Sequence, residues 1–191
     1  MAVRRPRGKD VSRTFDEGGL RFQFGGDWRV EKYDDHPDYR GKAAKLSGTK
    51  GIDFVGIIGS GDCYLIEVKD SRAHPMPGDR RLGEMAKQVA LKVRDTIAGI
   101  VGAHRTSSQP ETWRPFVRAL ANRSRMLRVV LWLEDDLPID TWRWRHRAST
   151  LTKLIKRQTS WVTTRILVVS QRSPVAGPPG LAVSNLPRAS Q

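Results

Sequence analysis

The sequence predicts an α/β domain whose mixed central β-sheet is flanked by helices. Residues 51–69 form two apolar runs around a Gly-rich turn, which is typical of an antiparallel hairpin. Residues 80–100 carry apolar side chains at helical spacing, and residues 127–170 give the order strand, helix, strand. A crossover of that kind joins parallel strands, so the sheet combines both strand directions. The 191 residues leave room for one such domain with a core.

The two ends of the chain differ in composition from this domain, which is predicted at residues 14–171. Residues 1–13 are charged, lack periodicity and predict a basic flexible arm. Residues 20–33 alternate apolar and polar side chains around a Gly-Gly pair, which predicts strands joined by a turn. Residues 172–191 are Pro-rich and predict a tail without a regular core element, although the apolar residues 181–183 suit a segment lying along the domain.

The predicted hairpin carries charge where a plain core hairpin would not. Asp53 interrupts the first apolar run, and Glu67 and Lys69 flank Val68 at the end of the second. Successive strand side chains point to opposite faces, so Glu67 and Lys69 share one face and Val68 takes the other.

The length of the turn decides whether the two acids meet. A three-residue loop with Gly61 in the left-handed conformation sets a register that places Asp53 directly opposite Glu67. A two-residue loop would put Asp53 on the other face of the sheet. Two carboxylates that face each other repel, so the three-residue loop predicts a cation between them.

The segment after the hairpin predicts a loop over residues 71–78, with Asp79 as the N-cap of a helix. The helix begins at Arg80 and turns one apolar face to the sheet, formed by Leu82, Met85, Ala86, Val89, Val93, Ile97 and Ile100. Glu84, Gln88 and Lys92 recur at every fourth residue and form a polar stripe beside that face.

The second half of the chain completes the sheet. Apolar runs at residues 127–133 and 165–170 predict two buried strands, and residues 149–161 between them have helical spacing. We therefore expect a parallel strand pair joined by a helix. Residues 111–122 predict a further short helix at the surface.

A strand aspartate followed on the next strand by acid-x-Lys resembles the signature of the PD-(D/E)XK nuclease superfamily. Asp53 matches the first acid, and Glu67-Val68-Lys69 matches the second acid and the lysine. Ile52 stands in place of the proline that names the motif, at a position that varies in the family. The resemblance implies a restriction-endonuclease-like core and metal-dependent hydrolysis of phosphodiester bonds.

The resemblance, which covers residues 50–95, also implies a role for each matching residue. Asp53, Glu67 and the backbone carbonyl of Val68 are expected to bind Mg²⁺, with Mn²⁺ able to substitute. Lys69 is expected to orient the attacking water or to stabilise the developing oxyanion. The alternative is a salt bridge at the surface between Glu67 and a neighbour, which contributes ~0–1 kcal/mol.

Two further positions are implied by the family. Many members carry, on the helix after this hairpin, a Gln followed four residues later by Lys or Tyr, and Gln88 and Lys92 match that pattern. An ordinary solvated helix flank is the alternative for both. An additional acid from an N-terminal element is common, and Glu17 and Glu31 are its candidates here.

The net charge of +14 is the second functional signal, because it attracts polyanions. The predicted nucleic-acid-binding residues are Arg143, Arg145, Arg147, Lys153, Lys156 and Arg157. Residues 142–147 alternate aromatic rings with cations, a combination that follows a phosphate backbone while stacking bases. The other interpretation is a loop whose tryptophans fill the core and whose arginines are simply solvated.

Composition limits the remaining classes. No apolar run is long enough for a membrane span, and the N-terminus lacks the apolar core of a secretory signal, so we expect a cytoplasmic protein. Cys63, the single cysteine, is expected to be a small buried apolar residue.

The expected substrate is DNA, with RNA as an alternative, in DNA repair or defence. A protein partner that supplies specificity and a homodimer are both compatible with this interpretation. The rival functions are a non-catalytic nucleic-acid-binding subunit and a protein-assembly module whose arginines meet an acidic partner.

Overall fold

A computed structural model describes residues 12–72, 78–136, 142–173 and 175–187, with the backbone alone for residues 78–80. The predicted basic arm lies almost entirely outside these ranges. The strands are β1 (Arg13–Glu17), β2 (Leu20–Phe24), β3 (Trp28–Lys32), β4 (Phe54–Ile58), β5 (Cys63–Asp70), β6 (Leu127–Glu134), β7 (Ile166–Val169) and β8 (Leu181–Asn185). The helices are α1 (Pro37–Gly41), α2 (Gly78–Thr106), α3 (Pro110–Ala121) and α4 (Trp142–Thr159), with a short 3₁₀ turn at Ala43–Lys45.

The central sheet has five strands in the order β3-β4-β5-β6-β7. The pairs β3–β4 and β4–β5 are antiparallel, whereas β5–β6 and β6–β7 are parallel. The predicted α/β class with a mixed sheet is therefore confirmed. The parallel pair joined by a helix is also confirmed, since α4 connects β6 to β7.

The hairpin between β4 and β5 has the predicted three-residue loop. Phe54 pairs with Ile66 and Ile57 pairs with Cys63, while the Ile58 N–H donates to the Asp62 carbonyl at 3.1 Å. Gly61 has φ of 87°, the left-handed conformation that the loop requires. Cys63 is buried, as expected.

The two faces of the central sheet are covered differently. Helices α2, α3 and α4 pack on one face, where Val89 and Val93 meet Val55, Leu65 and other odd-numbered strand residues. On the other face lies a second, three-stranded antiparallel sheet in the order β1-β2-β8. The predicted flanking helices are therefore present, and among the described residues they cover one face of the sheet. The other face is covered by the small sheet because β2 alternates buried apolar and exposed polar residues. Its apolar side packs three residues against the central sheet, Leu20, Phe22 and Phe24.

The C-terminal segment is a correction to the predicted tail. Residues 181–185 form β8, which pairs with β2 from Leu20↔Asn185 to Phe24↔Leu181. The prediction of a tail without a regular element is wrong. Leu181 and Val183 pack against the apolar cluster between the two sheets, which includes Phe22 and Phe24. The prolines precede or follow this strand, so the backbone hydrogen bonds of the strand itself are available.

The helices extend the predicted boundaries. The apolar face predicted from Leu82 to Ile100 packs on the core, and α2 begins at Gly78, so Asp79 lies within the helix.

Helix α3 is present but is more than a surface helix, because Trp113 and Phe116 are fully buried. Helix α4 begins at Trp142 and includes the segment that the second interpretation assigned to a loop. None of the helices in the described ranges is both long and apolar enough to cross a membrane.

Candidate active site

The candidate site lies at the end of β5, beyond the last pair that β5 forms with β4. Glu67 and Lys69 alternate with Val68 and face the helices, whereas Val68 packs in the core under the small sheet. Asp53 directly precedes β4. The Val68 N–H donates to Asp53 Oδ2 at 2.5 Å, so an aspartate side chain continues the pairing where the β4 backbone no longer does.

The segment that carries Asp53 is fixed to helix α2. The Ile52 N–H donates to Thr96 Oγ1 at 3.0 Å, and the Lys50 N–H donates to Asp95 Oδ2 at 3.1 Å. The Asp53 carbonyl accepts from the Tyr33 N–H at 2.8 Å. Since Lys92 lies one turn before Thr96, these bonds also fix the distance between Asp53 and Lys92.

The two predicted acids and two predicted lysines form one ion-pair cluster. Lys92 Nζ lies 2.7 Å from Glu67 Oε1 and 2.8 Å from Glu67 Oε2, and 3.7 Å from Asp53 Oδ1. Lys69 Nζ lies 2.6 Å from Glu67 Oε1. The cation that the opposed acids predict is, in this structure, the ammonium group of Lys92. Glu67 is completely buried, so its pairing is not the solvated surface salt bridge considered as the alternative.

The protonation of this cluster is set by burial and by the close charges. Burial raises the pKa of Asp53 to about 7, and repulsion by Glu67 adds to the rise, against attraction by Lys92 and the Val68 N–H. Burial lowers the pKa of Lys92, but attraction by Glu67 and Asp53 exceeds that effect and raises it overall. Lys92 is therefore a cation at neutral pH, while Asp53 changes charge in that range.

A third and a fourth acid lie beside Asp53. One carboxylate oxygen each from Glu17, Asp34 and Asp53 lie within 4.8 Å of one another. Of the two N-terminal candidates, the structure brings Glu17 to the site. Glu31 instead pairs with Arg13 at 3.3 Å. Asp34 was not identified from the sequence. An acidic residue that follows a short strand has the same sequence pattern as a solvated loop residue.

The Glu17 side chain pairs with Lys32 at 2.9 Å, and the same ammonium group lies 3.7 Å from Asp34. The turn that follows Glu17 is held by the residue after Lys69. Asp70 accepts from the Gly19 N–H at 3.2 Å, which holds the turn after β1 against the end of β5. A Cβ atom at Gly19 would lie 2.8 Å from Asp70 Oδ2, and Gly18 has φ of 58°. Both glycines therefore serve this close approach, and the sequence Glu17-Gly18-Gly19 is the signal that could have favoured Glu17.

The donor set fits a hard divalent cation. Mg²⁺ takes oxygen ligands, usually one or two carboxylates completed by water and phosphate. Three carboxylates, those of Glu17, Asp34 and Asp53, converge here, and Glu67 contacts the same Lys92 ammonium group as Asp53. Glu67 Oε1 is buried with no aligned hydrogen bond, although two ammonium groups lie close to it. The role of the Val68 carbonyl as a ligand stays a prediction. So does the role of Gln88, which is half-buried one turn before Lys92.

The predicted nucleic-acid-binding residues all lie on α4, but they do not form one patch beside the site. Five of the six are exposed, namely Arg143, Arg145, Lys153, Lys156 and Arg157. Arg147 is mostly buried and pairs with Asp135. Trp144 is buried, as the second interpretation of residues 142–147 expects, whereas Trp142 is 71% exposed. Nucleic-acid binding by this segment stays a prediction.

Helix α4 starts at the edge of the sheet that carries the acids. Lys69 is opposite Leu133 in the β5–β6 register, and Asp135 follows two residues later. The ion pair between Asp135 and Arg147 anchors the first turns of α4 at that edge. From there α4 returns along β6, so residues 153–157 lie toward the opposite edge.

No family model, curated protein or solved structure matches the chain.

Proposed function

We propose that the protein is a metal-dependent nuclease of the PD-(D/E)XK type that hydrolyses phosphodiester bonds of DNA. The observation that carries the proposal is the buried pair Asp53 and Glu67, which adjoins Lys69 and Lys92 at the end of β5. The restriction-endonuclease-like core belongs to the proposal and is supported by the hairpin β4–β5, the helix α2 that follows it and the parallel strand β6.

Asp53 and Glu67 would hold the metal, with Glu17 and Asp34 as further oxygen donors on the Asp53 side. A bound Mg²⁺ supplies a lowered pKa for a coordinated water and neutralises charge on the phosphate. In the hydrolysis the water loses one proton and its oxygen bonds to phosphorus. The bond to the leaving nucleotide oxygen breaks, and that oxygen takes up one proton, so the protons balance.

Lys69 and Lys92 have different roles in this proposal. The side chain of Lys69 is 35% exposed, so it can reach the water or a phosphate oxygen from solvent. The side chain of Lys92 is more buried and contacts both acids. We assign Lys92 to holding the carboxylates in place and Lys69 to stabilising the oxygen charge that develops during attack.

A second candidate is a non-catalytic nucleic-acid-binding protein. It is favoured by one observation, the contact of the Lys92 ammonium group with both Glu67 and Asp53, which offsets part of the charge of the acid pair without a metal. The net charge of +14 suits both candidates equally.

Cleavage of supercoiled, linear and branched DNA with Mg²⁺, Mn²⁺ or EDTA separates the two candidates. The nuclease account expects cleavage with either metal, none in EDTA, and loss of cleavage in Asp53→Asn and Glu67→Gln. Glu84→Gln is the matched control, because Glu84 is an exposed acid on α2 and should cleave like wild type. Salt-sensitive binding without cleavage under all metal conditions would support the second candidate.

A further inference from the structure

The start of α4 exposes an aromatic ring among cations. Trp142 is 71% exposed, and its neighbours Arg143 and Arg145 are exposed as well. Arg145 and His146 follow Trp142 by three and four residues and so lie on its side of the helix. The His146 ring meets the indole at 6.1 Å between centroids and an interplanar angle of 67°, which orients the two rings edge to face.

This exposure is not explained by the core. Trp144, two residues later, is 4% exposed, and Leu151 and Ile155 continue the buried face of α4. Trp142 lies on a different side of the helix from Trp144, because two residues advance an α-helix by more than half a turn. A large ring held in solvent on the same side of the helix as Arg145, with the exposed Arg143 next in the chain, is suited to a partner that is both anionic and aromatic.

The position of Trp142 relates it to the candidate active site. Arg147 contacts Asp135 directly after β6, and Trp142 precedes Arg147 by five residues toward the N-terminus of α4. That places the start of α4 at the edge of the sheet where Lys69 lies, on the helix-covered face.

We propose that Trp142 stacks on an unpaired base of a single-stranded DNA segment that Arg143 and Arg145 hold by its phosphates. In a duplex both faces of each internal base are covered by its neighbours, whereas an unpaired base offers a face to an indole. The inference rests on the proposed function and deepens it, since it assigns the substrate as DNA with single-stranded character near the cleaved bond.

Binding measured without turnover tests the proposal. Fluorescein-labelled oligothymidylate and a labelled blunt duplex are titrated in EDTA by fluorescence anisotropy against wild type, Trp142→Ala, Trp142→Phe and Trp161→Ala. Trp161 is the matched control, because it is 58% exposed but follows the opposite end of α4. Circular dichroism confirms that each variant is folded.

We expect Trp142→Ala to weaken oligothymidylate binding about 5- to 150-fold, the range for loss of one stacked base. Trp142→Phe keeps most of the affinity, Trp161→Ala binds like wild type, and duplex binding changes little in any variant. Equal losses on oligothymidylate and duplex, equal losses in the two alanine variants, or no loss in Trp142→Ala would each overturn the proposal.

The two proposals fail in distinguishable ways. If no metal supports cleavage but Trp142→Ala still selectively loses single-strand binding, the nuclease assignment fails and the stacking site stands. If metal-dependent cleavage is present but single-strand binding does not depend on Trp142, the stacking site fails and the nuclease assignment stands.

Discussion

The ammonium group of Lys92 lies 2.8 Å from Glu67 Oε2, which joins helix α2 to strand β5 inside the domain. The side chain of Glu67 is 1% exposed and that of Lys92 is 16% exposed, so neither charge is fully solvated. Removing Lys92 takes away the cation that contacts both acids and leaves Glu67 with the more exposed Lys69 alone. Loss of one member of a buried ion pair costs more than the pair itself contributes. This relationship makes the cluster a part of the fold as well as a candidate site.

Lys92→Met should therefore destabilise the protein by about 3–5 kcal/mol. Lys87→Met on the same helix is the control, because Lys87 is exposed and its replacement should change stability by less than about 0.5 kcal/mol. The free energies of unfolding come from urea titrations without metal. A Lys92→Met variant as stable as Lys87→Met would contradict the buried pairing. Added Mg²⁺ should restore part of the loss if it binds the acids.

The stability should depend on pH through Asp53, whose pKa burial raises to about 7 from its ordinary value near 3.8. Between these values the folded state holds a proton that the unfolded chain releases, so the contribution of this group to stability falls as pH rises. It is complete below the ordinary pKa and lost once pH passes about 7. In urea unfolding, the free energy of unfolding of Asp53→Asn should therefore decrease less between pH 5 and pH 8 than that of wild type. An identical pH dependence in wild type and variant would contradict it.

Metal binding should show the opposite dependence on pH, because a ligand carboxylate must lose its proton first. The affinity for Mn²⁺ should rise as pH increases through about 7, the pKa to which burial raises Asp53. Isothermal titration calorimetry of wild type across this range measures it. Asp53→Asn should bind weakly at every pH, whereas Glu84→Gln should follow wild type.

Gly99 should be irreplaceable at the contact between α2 and Tyr33. A Cβ atom at Gly99 would overlap the Tyr33 hydroxyl oxygen, and overpacking of that kind costs about 1–3 kcal/mol. A Cβ atom at Gly102 on the same helix would meet nothing within 4 Å outside that helix, so Gly102→Ala should stabilise by up to about 1 kcal/mol. Thermal unfolding of Gly99→Ala and Gly102→Ala should shift in opposite directions. Equal shifts would mean that α2 does not approach Tyr33 this closely.

The two ends of α4 should differ in their effect on DNA. Arg143→Ala combined with Arg145→Ala should weaken binding of single-stranded DNA and reduce the slope of log affinity against log salt by about 1.4, which is about 0.7 for each phosphate contact. Lys156→Ala combined with Arg157→Ala changes the charge equally at the end of α4 far from the acids. Anisotropy titrations over a range of salt should show a smaller slope change for that pair. Equal slopes would indicate a diffuse electrostatic surface.

The sequence predicts the part of this architecture that depends on local chemistry. The Gly61 turn specifies its loop length, and that length determines that Asp53 and Glu67 share a face. The helical spacing from Leu82 to Ile100 predicts which side of α2 meets the sheet and therefore where Lys92 lies. These features depend on residues close to each other in the chain.

The missed features depend on contacts between distant residues. Strand β8 forms because it pairs with the free edge of β2. The proline content of the C-terminal segment does not indicate that pairing. Glu17 lies near Asp53 because the turn at Gly19 is bound by Asp70, which is distant from it in the sequence. Asp34 joins the same acids only once β3 is placed beside β4. The different environments of Trp142 and Trp144 likewise appear only when α4 packs on the core.

The most direct measurement is single-turnover cleavage of labelled DNA with saturating Mg²⁺ by wild type, Lys69→Ala and Lys87→Ala. Lys69 is proposed to stabilise the developing oxyanion, and removal of such a group typically lowers the rate by about 100- to 1,000-fold. We expect a loss of that size in Lys69→Ala, no loss in Lys87→Ala, and unchanged DNA affinity in EDTA for both. Cleavage by Lys69→Ala at the wild-type rate, or no metal-dependent cleavage by the wild type, would contradict the assignment.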